Sequence, residues 1–385
     1  MNDTRAIQPV CAHPGTTARL GACRVRANIG TALLLFVIVA VGAWLRFAHL
    51  GVEAFWGDEY AYTYLDRSNP AAVHLYSHGF DAYVRLYAHG VHLFHGSLMD
   101  ETTFRALPAV LGTSAIVLLF GAGVLAGSPA VGVIAAGIMA IHPFGVQVSR
   151  TATQYGHLLF GTTWLLVSLL AVGRAGRWWQ WLALALASAF VFHLQVFFAC
   201  AVIGAWSALA LTTMVRMAVQ RKFDARFVLL YGVCACVVVG LCWYEYWYYI
   251  RPSMAETGRL HFGAEQISLW QRMNLASVRY DFTSGRPVES WCYAILGAVG
   301  LAWLCLRAPL AAVALLATAA VTYGMLHVIK MHSGIGVPPR YISFLLPLFW
   351  LCVSSGLWLV ARGLCRAGQM AGRSVGWLVS GQFKK

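Results

Sequence analysis

The chain has 385 residues, of which 59% are hydrophobic and 11% charged, and its mean hydropathy is +0.66. Repeated apolar runs of about 20 residues predict an all-α polytopic membrane protein and exclude a soluble globular domain. The net charge of +14 would suit a nucleic-acid-binding protein, so the positions of the charges must decide.

We predict about ten membrane-spanning helices between two basic tails, a disordered one at 1–28 and a second at 362–385. Because the apolar run from Ala27 to Leu45 is too long for a signal peptide, we interpret it as an uncleaved first span. The segment 179–214 is too long for one span and short for two, so we favour two short helices broken near His193. The spans are predicted near 29–48, 105–126, 129–147, 152–172, 179–192, 194–214, 227–249, 291–306, 309–328 and 341–361.

With the N-terminus inside, one side of the membrane holds sixteen of the 28 basic residues and only the acidic residues Asp3 and Asp224. The other side is neutral, which is the positive-inside pattern. The basicity therefore indicates topology and gives no support for nucleic acid. We expect a multi-pass protein of the bacterial inner membrane. The sixteen are Arg5, Arg19, Arg24, Arg26, Arg174, Arg177, Arg216, Arg221, Lys222, Arg226, Arg307, Arg362, Arg366, Arg373, Lys384 and Lys385.

The first outer loop, 49–104, is rich in apolar and aromatic residues, and breaks at Pro70 and Gly79 predict two amphipathic helices lying in the membrane interface. His89, His92 and His95 recur every third residue, but this spacing aligns only adjacent pairs and no acid or Cys joins them, so we favour no metal site there. The ten cysteines fall mostly in spans or on the inner side, which argues against a disulfide framework.

Ionisable residues from separate segments are predicted at the outer membrane face, in a chain with little charge elsewhere. Asp58 and Glu59 follow the first span, and the cations of the set are Arg150, Lys330 and Arg340. Basic groups at such a boundary can hold a phosphate and stabilise the charge that collects on it as a leaving group. An ionised Asp can take the proton of an attacking hydroxyl. Further candidates for substrate contacts are Trp56, Tyr60, His78, Gln154, Tyr155, His193 and Tyr341.

Four stretches in order resemble family 39 membrane glycosyltransferases, which include protein O-mannosyltransferases and the lipid A aminoarabinose transferase. Leu45-Arg46 followed by Trp56-Gly57-Asp58-Glu59 resembles the "LR…W-x-DE" opening of that family. Where the family pattern has Glu and Arg, this chain has Thr151 and Thr153. The other matching stretches, within residues 40–360, are Leu93–Ser97 with Phe104–Gly112, Pro143–Tyr155, and Pro339–Tyr341 with Leu346-Pro347.

The resemblance implies a GT-C fold over 29–361 and a polyprenyl-phosphate-linked sugar as donor. The sugar would pass with inversion to a lipid, glycan or protein acceptor in a cavity facing the periplasm. Asp58 would be the general base, and Glu59 would orient the acceptor, pair with a cation or bind an optional divalent metal. Arg150, Lys330 and Arg340 would bind the donor phosphate.

Two other functions remain open. A transporter of lipid-linked glycans would need ionisable residues at mid-membrane depth and a repeat relating two halves, and neither is evident. The chain could also be a non-catalytic partner subunit, because Thr151 and Thr153 stand at positions that are charged in the family pattern.

Overall fold

The computed structural model describes residues 14–52, 59, 101–194, 198–245, 247, 287–333 and 343–381. Within these ranges the chain is helical and contains no strand, which confirms the predicted all-α class. The helices are α1 (Pro14–Phe47), α2 (Glu101–Ala126), α3 (Pro129–Ile141), α4 (Pro143–Ser149), α5 (Gln154–Ala175), α6 (Trp178–Leu194), α7 (Ala199–Gln220), α8 (Ala225–Glu245), α9 (Pro287–Arg307), α10 (Pro309–Ser333) and α11 (Leu346–Gly381).

Within the described residues, all ten predicted spans fall on helices. Among the described residues, seven helices are long and apolar enough to cross a membrane, or eight if the bent pair α3–α4 is one span. Two further apolar helices, α6 and the 309–325 part of α10, are shorter. The predicted break in 179–214 is confirmed, since α6 ends at Leu194 and α7 begins at Ala199.

The span predicted over 129–147 is interrupted, because α3 and α4 meet at an angle of 63°. The break falls at His142, whose ψ of 123° is extended. Pro143 follows it, and a proline both lacks an amide donor and disfavours helical geometry in the residue before it. The sequence Ile141-His142-Pro143 therefore ends one helix and starts another.

Two helices extend into the segments that were predicted as basic tails. α1 already begins at Pro14, inside the segment predicted as a disordered tail, and α11 continues through the basic stretch after 362 as far as Gly381. The division into two tails and one membrane domain stays a prediction.

The helices at the centre of the bundle pass between two ends of the molecule. α2 packs closely on α3, where a side chain on Gly123 would collide with the backbone of Gly132, and glycines of this kind let membrane helices approach closely. The last residues of α1 and α3 and the first residues of α2 and α5 lie together, and we call this the Glu59 end. The opposite end, where α5 turns into α6 at Gly176, is called the Arg174 end.

Candidate functional site

Glu59 and Arg105 form a bidentate ion pair at the Glu59 end. Arg105 donates from Nε to Glu59 Oε1 at 2.9 Å and from Nη2 to Glu59 Oε2 at 2.6 Å. The exposed fractions of the two side chains are 5% for Arg105 and 0% for Glu59. Charged groups are buried this deeply when paired, so the two charges stabilise each other. Of the three roles expected for Glu59, pairing with a cation is therefore confirmed.

The same pair ties three separate segments together. The backbone amide of Ala152 donates to Glu59 Oε1 at 2.7 Å, and Arg105 Nη1 donates to the carbonyl of Leu50 at 3.1 Å. Through Arg105 of α2, the ion pair thus joins the turn after α1 to the turn before α5. Hydrogen bonds to charged groups are the stronger kind in proteins, so this junction is a rigid part of the Glu59 end.

Arg46 is a second fully buried arginine at this end. Its Nη1 donates to the carbonyls of Gly42 and Ala140, at 3.0 and 3.1 Å, and its Nη2 donates to Met139 at 3.0 Å. The last carbonyls of a helix have no partner within it and carry partial negative charge. Arg46 of α1 therefore caps the carboxyl end of α3.

Arg150, predicted to bind the donor phosphate, caps the carboxyl end of α1. Its Nη1 donates to the carbonyls of Leu45 at 3.0 Å and Ala48 at 2.8 Å, and its Nη2 donates to His49 at 3.3 Å. A guanidinium has five N–H donors. Contacts within the described residues use three of them, which leaves two N–H groups of the half-buried Arg150 for another acceptor.

The turn between α4 and α5 carries the threonines that stand at charged positions of the family pattern. Thr151 donates to the carbonyl of Val148 at 3.2 Å, and its hydroxyl lies 3.1 Å from that of Thr153. Both hydroxyls thus serve the local turn, and the amide between them holds Glu59. A side chain on Gly112 would collide with Ser149 and approach Arg46, so a glycine is needed at that position of α2.

Other predicted residues lie at the same end with varied surroundings. Gln154 and Tyr155 are buried in the first turn of α5. His193 is half-buried near the end of α6, which runs back from Gly176. α9 begins at the Glu59 end, where the ring of Tyr293 contacts the ring of His142. α10 follows α9 and runs back in the opposite direction, and Lys330 lies in its last turns. The structure therefore brings these helix ends to one side of the bundle, while their role in binding substrate stays a prediction.

Several predictions lie outside the described residues. They concern the general base, four candidates for substrate contacts and the last donor-binding cation, and also the proposed interfacial helices and the histidine triplet. The residues are Trp56, Asp58, Tyr60, His78, His89, His92, His95, Arg340 and Tyr341.

Sequence reasoning missed the partners Arg46 and Arg105 as site residues, although both stand in the quoted motifs. A signal was available, because a lone cation in an apolar helix requires a buried partner. Among the described residues, no three His, Cys, Asp or Glu side chains lie close enough to share a metal ion. Among the described side chains, no disulfide bond joins two cysteines.

Comparisons with known proteins define the fold. No family model matches the sequence, and no curated protein matches it. The structure is similar to that of the Archaeoglobus fulgidus oligosaccharyltransferase tethered to an acceptor peptide containing the NVT sequon. The sequence identity is 13%, the TM-score is 0.51, and the match covers 87% of this chain and 50% of that one. A second structure of that enzyme, with Zn and sulfate, matches at 14% identity and a TM-score of 0.47, over 86% of this chain and 49% of that one.

The fold is therefore the GT-C-like helical membrane fold that the sequence predicted. The protein is a multi-pass membrane protein with this fold, and it spans about half the length of the oligosaccharyltransferase it resembles.

Proposed function

We propose that this protein is a GT-C glycosyltransferase related to family 39. It transfers a sugar from a polyprenyl-phosphate donor to a lipid, glycan or protein acceptor at the periplasmic face. The GT-C-like fold supports this activity, and the sequence motifs support the donor class. The Glu59 end of the bundle is then the periplasmic end.

The single observation that carries the proposal is the immobilised carboxylate of Glu59 at one end of this fold. Asp58 directly precedes Glu59 in the sequence, and in this proposal it acts at the same end. Adjacent residues of a helix diverge by about 100°. Glu59 is directed at Arg105 and the turn before α5, and we therefore assign the reaction to Asp58 and the positioning of its segment to Glu59.

The reaction follows from the chemistry of these groups. The acceptor hydroxyl oxygen forms a bond to the anomeric carbon while the bond from that carbon to the phosphate oxygen breaks. The hydroxyl proton passes to the Asp58 carboxylate, and the electron pair of the broken bond leaves on the polyprenyl phosphate. Attack on the face opposite the phosphate inverts the anomeric configuration.

The cations at this end stabilise the leaving phosphate. Arg150 is suited to this because its capping contacts with α1 hold it in place while two N–H groups remain. Lys330 and Arg340 complete the donor-phosphate site in this proposal. In this proposal the leaving phosphate pairs with arginine and lysine, and a divalent metal bound by Glu59 is optional.

The test is the substitution Asp58→Asn, assayed with a panel of labelled polyprenyl-phosphate sugars in membranes. The amide keeps the shape of the side chain but cannot accept the proton. General-base assistance is worth about 10² to 10⁴ in rate, so turnover should fall at least about a hundredfold. Donor binding should change little, since phosphate contacts belong to other residues.

Asp224→Asn is the matched control. Asp224 lies at the Arg174 end, where its carboxylate accepts from the amide of Phe227 at 2.9 Å as the cap of α8. Asparagine caps a helix as well as aspartate does, so this variant should retain full activity. Folded Asp58→Asn protein with near wild-type transfer would reject Asp58 as the base, and a wild-type protein that moves lipid-linked glycans without transfer would favour a transporter.

A further inference from the structure

A cavity of about 180 Å³ opens at the Arg174 end, away from the proposed active site. It lies between the turn that joins α5 to α6 and the turn that joins α7 to α8. Its charged lining consists of Arg174 from α5, Arg216 from α7, Arg226 from α8 and the single acid Asp224. Three helices therefore bring three guanidinium groups to one opening.

The arginines of this cavity are available to a ligand. All three are exposed, and in the part of the chain that the structure describes none of them has an ion-pair partner. The Asp224 carboxylate is engaged by the amide of Phe227 as the cap of α8. The cavity also lies at the amino end of α8, where the helix dipole adds positive potential. The lining thus has more positive than negative charge, and it is suited to an anion.

A cluster of aromatic rings holds the walls of the cavity in place. Trp181 of α6 is fully buried and lies 5.3 Å from Phe227 and 6.4 Å from Trp206, measured between ring centroids. The hydroxyl of Tyr231 donates to the carbonyl of Trp206 at 3.3 Å. These contacts join α6, α7 and α8, so the arginines are mounted on a packed scaffold.

The cavity lies at the depth expected for lipid headgroups. Trp178 and Trp179, in the first turn of α6 beside it, are 67% and 48% exposed. Exposed tryptophans at helix ends are typical of the interface between membrane and water. Basic pockets between membrane helices at this depth bind anionic headgroups.

We propose that the Arg174–Arg216–Arg226 cavity binds a phosphate-bearing anion. Guanidinium groups match the geometry of phosphate oxygens and bind them through paired N–H donors. The phosphate can come from the headgroup of an anionic phospholipid or from a soluble phosphate, and both use the same contacts. The site is at the opposite end of α5 from Glu59 and does not depend on the proposed transfer reaction.

Native mass spectrometry of the full chain in neutral detergent tests this site. The purified protein is titrated with dioleoyl phosphatidylglycerol, with dioleoyl phosphatidylcholine and with inorganic phosphate as a competitor. A basic side chain near an anionic headgroup contributes roughly fivefold in affinity, so the triple substitution Arg174→Gln, Arg216→Gln and Arg226→Gln should weaken phosphatidylglycerol binding roughly a hundredfold.

The matched control is Arg177→Gln, Lys222→Gln and Arg307→Gln, which removes the same charge from exposed positions that do not line the cavity. This variant should bind the lipid within about threefold of wild type, since only screened, long-range attraction is lost. If the triple cavity variant does not fold, the three single substitutions carry the test, each with a loss of roughly fivefold.

Preference for phosphatidylglycerol, lost in the cavity variant, supports a lipid headgroup as the source. Displacement of the lipid by inorganic phosphate, with the same dependence on the three arginines, supports a soluble phosphate ligand at the same site. Equal binding by the cavity and control variants, or equal binding of the two lipids by wild type, would overturn the proposal.

Discussion

The two ends of α5 use arginine in opposite ways. The helix has 22 residues and is about 33 Å long. At the Glu59 end, Arg46 and Arg105 are buried and bonded to carbonyls or to Glu59. At the Arg174 end, Arg174, Arg216 and Arg226 are exposed around an open cavity.

The difference shows that burial decides what an arginine does. A guanidinium that leaves water must recover hydrogen bonds inside the protein, so a buried arginine becomes a structural tie. An exposed arginine in a headgroup region keeps its donors hydrated and can exchange water for an external anion. A count of basic residues mixes these two populations, and only the geometry of each residue separates them.

The largest expected effect concerns the sides of the membrane that the two ends face. In a cysteine-free background, Val52→Cys at the Glu59 end and Lys222→Cys at the Arg174 end introduce single thiols at exposed positions. A membrane-impermeant maleimide added to intact cells should label Val52→Cys. It should label Lys222→Cys only after permeabilisation, because the Arg174 end is predicted to face the cytoplasm. Labelling of both positions in intact cells would refute the topology.

A smaller effect is expected when the buried ion pair is broken. Arg105→Gln leaves the Glu59 carboxylate buried without a cation, which typically costs about 3 to 5 kcal/mol. Arg216→Gln is the matched control at the other end, and an exposed substitution should change the free energy of unfolding by less than about 0.5 kcal/mol. Denaturation by sodium dodecyl sulfate, in neutral detergent without added lipid, measures both.

The ion pair itself is tested by a double-mutant cycle, which compares Glu59→Gln, Arg105→Gln and the variant that carries both substitutions. Removing both charges leaves neither group buried as a lone ion, so the double variant should be less destabilised than the sum of the single variants. A loss for Arg105→Gln no larger than that for Arg216→Gln would show that the two ends do not differ as described.

The smallest expected effect concerns Arg150→Lys. The ammonium keeps the charge but cannot reach all three carbonyls that the guanidinium fork contacts at the end of α1. The expected loss of stability is about 1 to 2 kcal/mol. If Arg150 also binds the donor phosphate, the KM for donor should rise in the folded variant while kcat changes less, whereas a purely capping role predicts unchanged kinetics per folded molecule.

The positions of the helices could be predicted because each depends on nearby residues. The apolar run of 179–214 and the basic residues that flank it were enough to predict a break near His193. The bend at His142 was missed because an apolar run continues through Pro143, and hydropathy does not register the lost amide donor. The quoted motifs included Arg46 and Arg105, but nothing in them identified their partners.

The sequence by itself determined the all-α membrane class and the helix positions, since span length is a local property of the chain. Its charge bias, which is also local, gives the topology prediction. Only the tertiary structure decided that Glu59 pairs with Arg105, that Arg150 caps α1, and that three distant arginines surround one cavity. These contacts join residues from separate helices, often far apart in the chain. A buried charge needs a partner, and that partner comes from the helices packed against it. The local sequence around the charge does not show which residue this will be.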